Sequence, residues 1–229
     1  MEFQPEFCRL QAFEHFSQHL PQVETVDGLL GAVTAISMHE LSGVVPAQVD
    51  DSLERLADRV RRRASSRNPT AIIANLHEVL FEEEQFSGNL KDYYNPANSY
   101  LPQVISSKHG LPIMLSLIYY VVGTRCGLEI EGVNAPSHFM VRVQSPEGPM
   151  VIDPFYRGEY LSGDEPFQRL QQITGRKFIA DPRYLAKASH RQWLARILAN
   201  LQNLFASQNR RDDLAAMTEL QALLGEMLI

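Results

Sequence analysis

The chain has 229 residues, of which 45% are hydrophobic and 21% charged, and its formal net charge is −6. These are the values of a globular protein with one large domain, or one domain and a small appendage. A negative net charge gives no general electrostatic reason to bind nucleic acid or an anionic membrane, so we expect neither as a partner. No segment reaches the roughly 20 apolar residues of a membrane span.

The two cysteines, Cys8 and Cys126, form neither a disulfide framework nor a metal-ligand spacing. The first residues lack the basic start and apolar stretch of a signal peptide. We therefore expect a protein of the reducing cytoplasm with no metal and no cofactor.

Helices are predicted throughout the first 86 residues, because apolar residues recur there at helical spacing. One helix is expected to be capped by Thr25 or Asp27. A turn is expected at residues 46–50, after which Asp51 or Ser52 caps another helix.

The stretch 87–99 is rich in Gly, Asn, Pro and Ser, which predicts a loop. It contains two adjacent tyrosines, Tyr93 and Tyr94, which either cover the core or line a cleft. In the second interpretation Tyr94, Asn95 and Asn98 are cleft-lining residues. A short helix follows, capped by Asn98 or Ser99.

Residues 108–127 are apolar on nearly every side, and their length favours a helix buried in the middle of a domain. Pro112 is tolerated in the first turn, where its missing N–H would have no helical partner. Gly127 is placed to end the helix in a left-handed conformation.

Two strands are predicted after this helix, with His138 at the start of the first and Asp153 at the end of the second. A hairpin loop of about five residues, Ser145 to Pro149, joins them. His138 and Asp153 are therefore expected at the same end of the hairpin.

The tail carries apolar stripes over residues 193–205 and 214–224 with a polar linker between them, which predicts an αα-hairpin. A lone helix pair cannot bury both faces. It either packs on the main domain or forms one unit of a repeat.

Several blocks carry a family resemblance: HEVLFEEEQFSGNLKDYYNPANSYLPQV, the GLP turn with its helix, GVNAPSHFMVRV and VIDPF. Together they resemble the transglutaminase-like core of the bacterial SirB-type family, a branch of the papain-like superfamily. The resemblance implies an α+β fold, with a central buried helix against a small antiparallel sheet. It also implies an N-terminal helical region over 1–70, a transglutaminase-like core over 71–188, and a tetratricopeptide-like helical hairpin over 189–229.

Active transglutaminase-like enzymes have Gly-x-Cys opening a helix, followed by His and Asp on successive strands. The helix N-terminus favours the cysteine thiolate, the histidine takes its proton, and the aspartate orients the histidine. By resemblance, His138 and Asp153 match the last two residues, and Pro112 occupies the nucleophile's position. Proline has no nucleophilic atom, so cysteine-type acyl transfer is not available.

Two other nucleophiles can be considered in the central helix. Cys126 lies 14 residues after Pro112, roughly 20 Å away along the helix. Ser116 is one turn after Pro112 on the same face, where a small residue also suits close packing of helix on sheet.

Three functional hypotheses follow. The first is a non-catalytic binding or regulatory module with a protein or peptide partner, in which Pro112 and Ser116 line the cleft and His138 and Asp153 are vestigial. The second is an atypical hydrolase or acyltransferase that uses His138 and Asp153 with Ser116 or water as nucleophile. In the third, the His–Asp pair serves stability alone. The oligomeric state is left open.

Overall fold

The computed structural model describes residues 4–64, 66, 68–177 and 179–226. The α-helices within these residues are α1 (Leu10–His19), α2 (Val26–Glu40), α3 (Pro46–Arg63), α4 (Pro69–His77), α5 (Leu101–Ser107), α6 (Pro112–Arg125), α7 (Glu165–Thr174), α8 (His190–Ser207) and α9 (Arg211–Glu226). The strands are β1 (Ser87–Gly88), β2 (His109–Gly110), β3 (Ile130–Val133), β4 (Met140–Ser145), β5 (Gly148–Asp153), β6 (Glu159–Leu161) and β7 (Lys187–Ala188). None of the described helices is long and apolar enough to cross a bilayer.

The chain divides into two compact units, each built from segments that are distant in sequence. The first unit takes the residues up to 49, residues 94–106 and the residues from 189 onward. The second unit takes residues 50–93 and 107–188. The predicted domains 1–70, 71–188 and 189–229 group the chain differently, and this division stays a prediction.

The first unit is helical. The Thr25 hydroxyl caps α2 by accepting a hydrogen bond of 3.0 Å from the Gly28 N–H, as the sequence predicts. The αα-hairpin of α8 and α9 is also confirmed. A buried histidine of α8 links two segments of this unit that are distant in sequence, since His190 Nδ1 lies 2.8 Å from the Val23 carbonyl oxygen.

Helix α3 corrects one prediction. It begins at Pro46, so the expected turn at 46–50 and the expected cap at Asp51 or Ser52 are wrong. The physical reason is that proline at the first helical position loses no hydrogen bond and has the φ angle of a helix. Pro46 therefore starts the helix rather than breaking the chain.

The second unit is organised around α6. Every residue of α6 from Pro112 to Gly123 is buried. The helix packs against β3, β4 and α4. Gly127, at a φ of +89°, follows the end of the helix as predicted.

A five-stranded sheet lies in this unit in the order β6-β5-β4-β3-β7, and neighbouring strands are antiparallel. Val141 of β4 pairs with Ile152 of β5, and both are fully buried. The predicted mixture of helices with a small antiparallel sheet is confirmed.

The hairpin between β4 and β5 is tighter than predicted. Ser145 pairs with Gly148, so only two residues form the loop and the expected five-residue connection is wrong. The Ser145 hydroxyl donates to the Gly148 carbonyl at 2.7 Å, and Gly148 has a φ of +119°. The strand expected to begin at His138 begins at Met140.

Helix α4 continues into a π-helical segment, Glu78–Glu83. After it, the Glu84 N–H bonds to the carbonyl of Val79, five residues back, at 3.1 Å. Such wide turns hold one extra residue compared with an α-helix. Here glutamates of the segment pair with arginines of the same unit, and Glu84, the residue that follows the segment, pairs with Lys108.

Candidate functional site

Pro112 is the first residue of α6, and it is buried. The residue before it, Leu111, caps the helix without a side-chain hydrogen bond. The Leu111 carbonyl accepts hydrogen bonds of 3.1 Å from the N–H groups of both Met114 and Leu115. The helix start is therefore regular, and the position assigned by resemblance to a nucleophile holds a pyrrolidine ring.

His138 lies in the turn that leads into β4. Its N–H bonds to the Ala135 carbonyl at 3.2 Å, and its side chain is almost completely buried. The preceding residue, Ser137, has a φ of +59°, a conformation that non-glycine residues seldom adopt. This turn directs the imidazole into the unit, where Nε2 lies 2.8 Å from Asp153 Oδ2.

Asp153 ends β5 and has no exposed surface. Its Oδ1 accepts a hydrogen bond of 3.2 Å from the Phe155 N–H, which caps the short 3-10 turn Pro154–Tyr156. Its Oδ2 faces both His138, at 2.8 Å, and Arg169 Nη1, at 2.9 Å. The strand order thus brings His138 and Asp153 together as the sequence predicts, and three groups satisfy the carboxylate.

Arg169 of α7 is a site residue that the sequence reasoning missed. Its other terminal nitrogen lies 2.5 Å from Glu159 Oε2, and its guanidinium carbon lies 3.9 Å from the centre of the Tyr156 ring. Arg169 is 8% exposed and shares the buried face of α7 with Pro166 and Leu170. The signal in the sequence that could have identified Arg169 is its helical spacing from Pro166 and Leu170, which places it on the apolar face of α7. An arginine on such a face needs a buried partner.

Aromatic rings surround the His–Asp pair. The His138 ring is 6.0 Å from Phe155, edge to face, and 6.2 Å from Tyr156. Phe155 also packs against Tyr93, at 6.1 Å, and over Gly88, where a Cβ atom would lie 2.4 Å from the ring. Of the two adjacent tyrosines, Tyr93 therefore belongs to the environment of the pair.

Ser116 is fully buried in α6. Its hydroxyl donates a hydrogen bond of 3.3 Å to the Phe139 carbonyl, next to His138 in the chain. The Ser116 hydroxyl thus bonds to a backbone oxygen and not to the imidazole. The contact joins helix to sheet, the packing role considered for a small residue there.

The other predicted cleft residues lie in the first unit. Tyr94 is 76% exposed, and its carbonyl accepts a hydrogen bond of 3.4 Å from Gln208. Asn95 caps a 3-10 turn by accepting a hydrogen bond of 3.0 Å from Ala97. Asn98 is buried. Their participation in a cleft with His138 stays a prediction.

A second histidine of the same unit sits at the end of α4. His77 Nε2 lies 3.0 Å from the hydroxyl of Tyr119, a fully buried residue of α6. Phe81 contacts both rings. Burial lowers the pKa of His77 to about 4, so the imidazole is neutral at physiological pH.

Neither cysteine has the environment of a nucleophile. Burial raises the pKa of Cys8 to about 12 and that of Cys126 to about 11. Cys126 caps the C-terminal end of α6, where its sulfur lies 3.5 Å from the Ala57 carbonyl oxygen. Among the described residues, no group of three or more His, Cys, Asp or Glu side chains is arranged to hold a metal ion.

Comparison with known proteins gives a family match over residues 47–199, to the model described as the transglutaminase-like superfamily. The UPF0162 protein of Xylella fastidiosa strain 9a5c is 40% identical over 144 residues, which cover 61% of this chain and 51% of that protein. The UPF0162 protein of Pseudomonas aeruginosa is 25% identical over 202 residues, which cover 86% of this chain and 71% of that protein.

A eukaryotic relative also matches. Human F-box only protein 21 is 29% identical over 182 residues, which cover 68% of this chain and 28% of that protein. This chain spans about half the length of the Xylella relatives that it matches. No solved structure matches it.

Proposed function

The chain belongs to the transglutaminase-like superfamily, and from that premise we propose that it is a non-catalytic member that binds a protein or peptide partner. The observation that carries the proposal is Pro112, which opens the buried helix α6 where the resemblance expects a cysteine. A proline there supplies no nucleophile and no N–H donor. The proposal concerns the part of the protein described here.

The His138–Asp153 pair has a role that needs no nucleophile. Asp153 receives hydrogen bonds from the turn before β4, from α7 and from its own 3-10 turn. A buried carboxylate with these partners fixes three chain segments relative to one another. Retention of the pair after loss of the thiol is consistent with this structural role.

The hydrolase alternative is weaker on two counts. The Ser116 hydroxyl donates to a backbone carbonyl at 3.3 Å, so activation by His138 would first require that contact to break. A water nucleophile would need access to His138, whose side chain is only 2% exposed. Both facts argue against turnover at His138.

Three finer assignments are part of the same proposal. We place the chain in the SirB-type branch because the blocks around the GLP turn and His138 resemble that family. We propose a tetratricopeptide-like use of the α8–α9 hairpin as a surface for protein contacts. A cytoplasmic location is supported by Cys8 and Cys126, which are both free thiols.

The test is a search for chemistry that depends on the proposed vestigial residues. Wild-type protein, His138→Ala and Ser116→Ala are treated with a fluorophosphonate probe and assayed on a panel of ester and amide substrates. We expect no labelling of Ser116 and no turnover above that of His138→Ala. Turnover that disappears in His138→Ala, with the variant folded by circular dichroism, would reject the non-catalytic assignment.

A separate measurement addresses binding. A displayed peptide library is selected on the immobilised protein, and the recovered peptides are titrated in solution. Saturable binding by a recovered peptide supports the proposal. Failure to recover any saturable binder contradicts the binding role and leaves the structural interpretation of the His–Asp pair.

A further inference from the structure

A surface cleft of about 600 Å³ lies beside the turn that carries His138. Its walls come from the turn at Pro136 and Ser137 and from the C-terminal end of α7. The other lining residues follow α7 in the chain: Arg176, Lys177, Ile179 and Tyr184. The volume is within the range of sites that bind small molecules or short peptide segments. The whole cleft belongs to the second compact unit.

Ser137 connects the cleft with the His–Asp pair. It is exposed and lines the cleft, whereas its neighbour His138 points inward and is 3% exposed. Ser137 has a φ of +59°. Such strained backbone positions cluster at functional sites.

The charge of the cleft is positive. Arg176 and Lys177 are its charged lining residues. Within the described parts of the chain, neither side chain has a recorded ion-pair partner. The carboxylate of Asp181, four residues after Lys177 in the chain, is engaged by Arg183, at 2.9 and 2.6 Å. The two cations are therefore available to a ligand.

The rest of the lining is largely apolar. Ile179 is 86% exposed, which is unusual for an isoleucine, and it lies in the cleft with Ile173 and Tyr184. A ligand that covers Ile179 gains apolar burial while its acidic groups meet Arg176 and Lys177. Carboxylates and aliphatic side chains occur together in acidic peptides.

We propose that this cleft is the docking site for an acidic peptide segment of a partner protein, with carboxylates on Arg176 and Lys177 and an aliphatic side chain on Ile179. The inference rests on the proposed binding function and names the partner's chemical class. A nucleic acid is disfavoured because its binding draws on many cations, and this cleft offers two within a chain of net charge −6.

The test uses fluorescence anisotropy with a short fluorescein-labelled peptide of alternating Glu and Leu, and with the same peptide carrying Gln for every Glu. The protein is wild type, the charge-reversal double variant R176E/K177E, or the matched control R62E/K91E, which changes the net charge equally at exposed sites away from the cleft. Free glutarate and a fluorescein-labelled single-stranded oligonucleotide are measured in parallel.

We expect saturable binding of the Glu peptide, weakened about tenfold or more both by Gln substitution and in R176E/K177E, and unchanged in R62E/K91E. Equal weakening in the two double variants would overturn the site. No binding of the Glu peptide, equal binding of the Gln peptide, tighter binding of the oligonucleotide, or displacement by an equal concentration of glutarate would also overturn it.

The outcomes separate this inference from the proposed function. If the Glu peptide does not bind at Arg176 and Lys177 and no turnover depends on His138, the acidic-peptide site is rejected but the non-catalytic assignment stands. Cleavage of the bound peptide that requires His138 rejects the non-catalytic assignment but leaves the cleft as its binding site.

Discussion

The guanidinium of Arg169 lies 2.9 Å from the same Asp153 oxygen that faces His138. Asp153 is fully buried, and Arg169 is nearly so. Two neighbours thus share one carboxylate oxygen in a region that excludes water. Arg169 is thus a principal electrostatic partner of this acid.

Substitution of Arg169 should therefore lower the free energy of unfolding far more than substitution of a surface arginine. Arg169→Met leaves a buried charge that has lost a partner, and we expect the free energy of unfolding to fall by about 3–5 kcal/mol. Urea denaturation measures it. The matched control is Arg183→Met, whose partner Asp181 lies near the surface and whose side chain is 89% exposed; its loss should be much smaller.

The double variant Arg169→Met/Asp153→Asn is a second test, because it removes both charges instead of leaving the Asp153 charge buried without the arginine. It should recover part of the stability lost in the single variant. Equal losses for Arg169→Met and Arg183→Met would show that the buried ion pair is not a stabilising element.

His77 should make stability depend on pH. Its pKa is lowered from 6.5 to about 4 in the folded protein, so the unfolded chain binds the extra proton between these values. The stabilisation is complete above about pH 6.5 and is lost as the pH falls toward 4. Over this pH range the free energy of unfolding should change by an amount on the order of 3 kcal/mol.

The measurement is urea denaturation of wild type and His77→Gln at several values of pH from 4 to 7. The variant should lose most of this pH dependence. Tyr119→Phe is the control, because it removes the hydroxyl but keeps the titrating ring, so its pH dependence should persist. Parallel curves for wild type and His77→Gln would contradict the assignment.

The native thiols should be slow to alkylate. With the pKa of Cys126 raised from 9.0 to about 11, its thiolate fraction at pH 8 falls roughly a hundredfold below that of an ordinary thiol. Cys8, with a pKa of about 12, should react more slowly still. Iodoacetamide labelling followed by mass spectrometry measures both rates, and Cys126→Ser isolates Cys8. Equal rates in folded and unfolded protein would refute this.

Restoring a cysteine at Pro112 tests the inferred nucleophile position. Position 112 is buried, but unlike the native cysteines it lies at a helix N-terminus, which favours the thiolate. Pro112→Cys should therefore alkylate at least about tenfold faster at pH 7 than either native cysteine. The matched control is Ser116→Cys, one turn deeper in the same helix. A second change, His138→Ala in the Pro112→Cys background, should slow the reaction. An unreactive Pro112→Cys would contradict the proposal that position 112 corresponds to the nucleophile of active transglutaminase-like enzymes.

Local signals in the sequence were sufficient for many elements. Thr25 caps α2, the apolar run after Pro112 forms a buried helix, and Gly127 follows its end. These features depend on neighbouring residues, whose hydrogen-bonding and conformational preferences are visible in sequence. The meeting of His138 and Asp153 followed from strand order alone.

Features that depend on distant packing were not predictable in this way. Arg169 is 16 residues from Asp153, and nothing local states which acid it meets. The grouping of residues 94–106 with both ends of the chain likewise depends on contacts between remote segments. The turn predicted at Pro46 was wrong for a local reason, because proline is compatible with the start of a helix as well as with a turn.

The π-helical segment Glu78–Glu83 has a consequence for how the charges around it meet. One extra residue in a helical turn rotates everything that follows by about 100° relative to an α-helix. Glu82 faces Arg157, Glu83 faces Arg59, and Glu84 faces both Arg59 and Lys108. Deletion of a single residue from this segment would hardly change its composition, but it would rotate the following glutamates away from their present partners. The extra residue therefore determines which ion pairs form in this part of the unit.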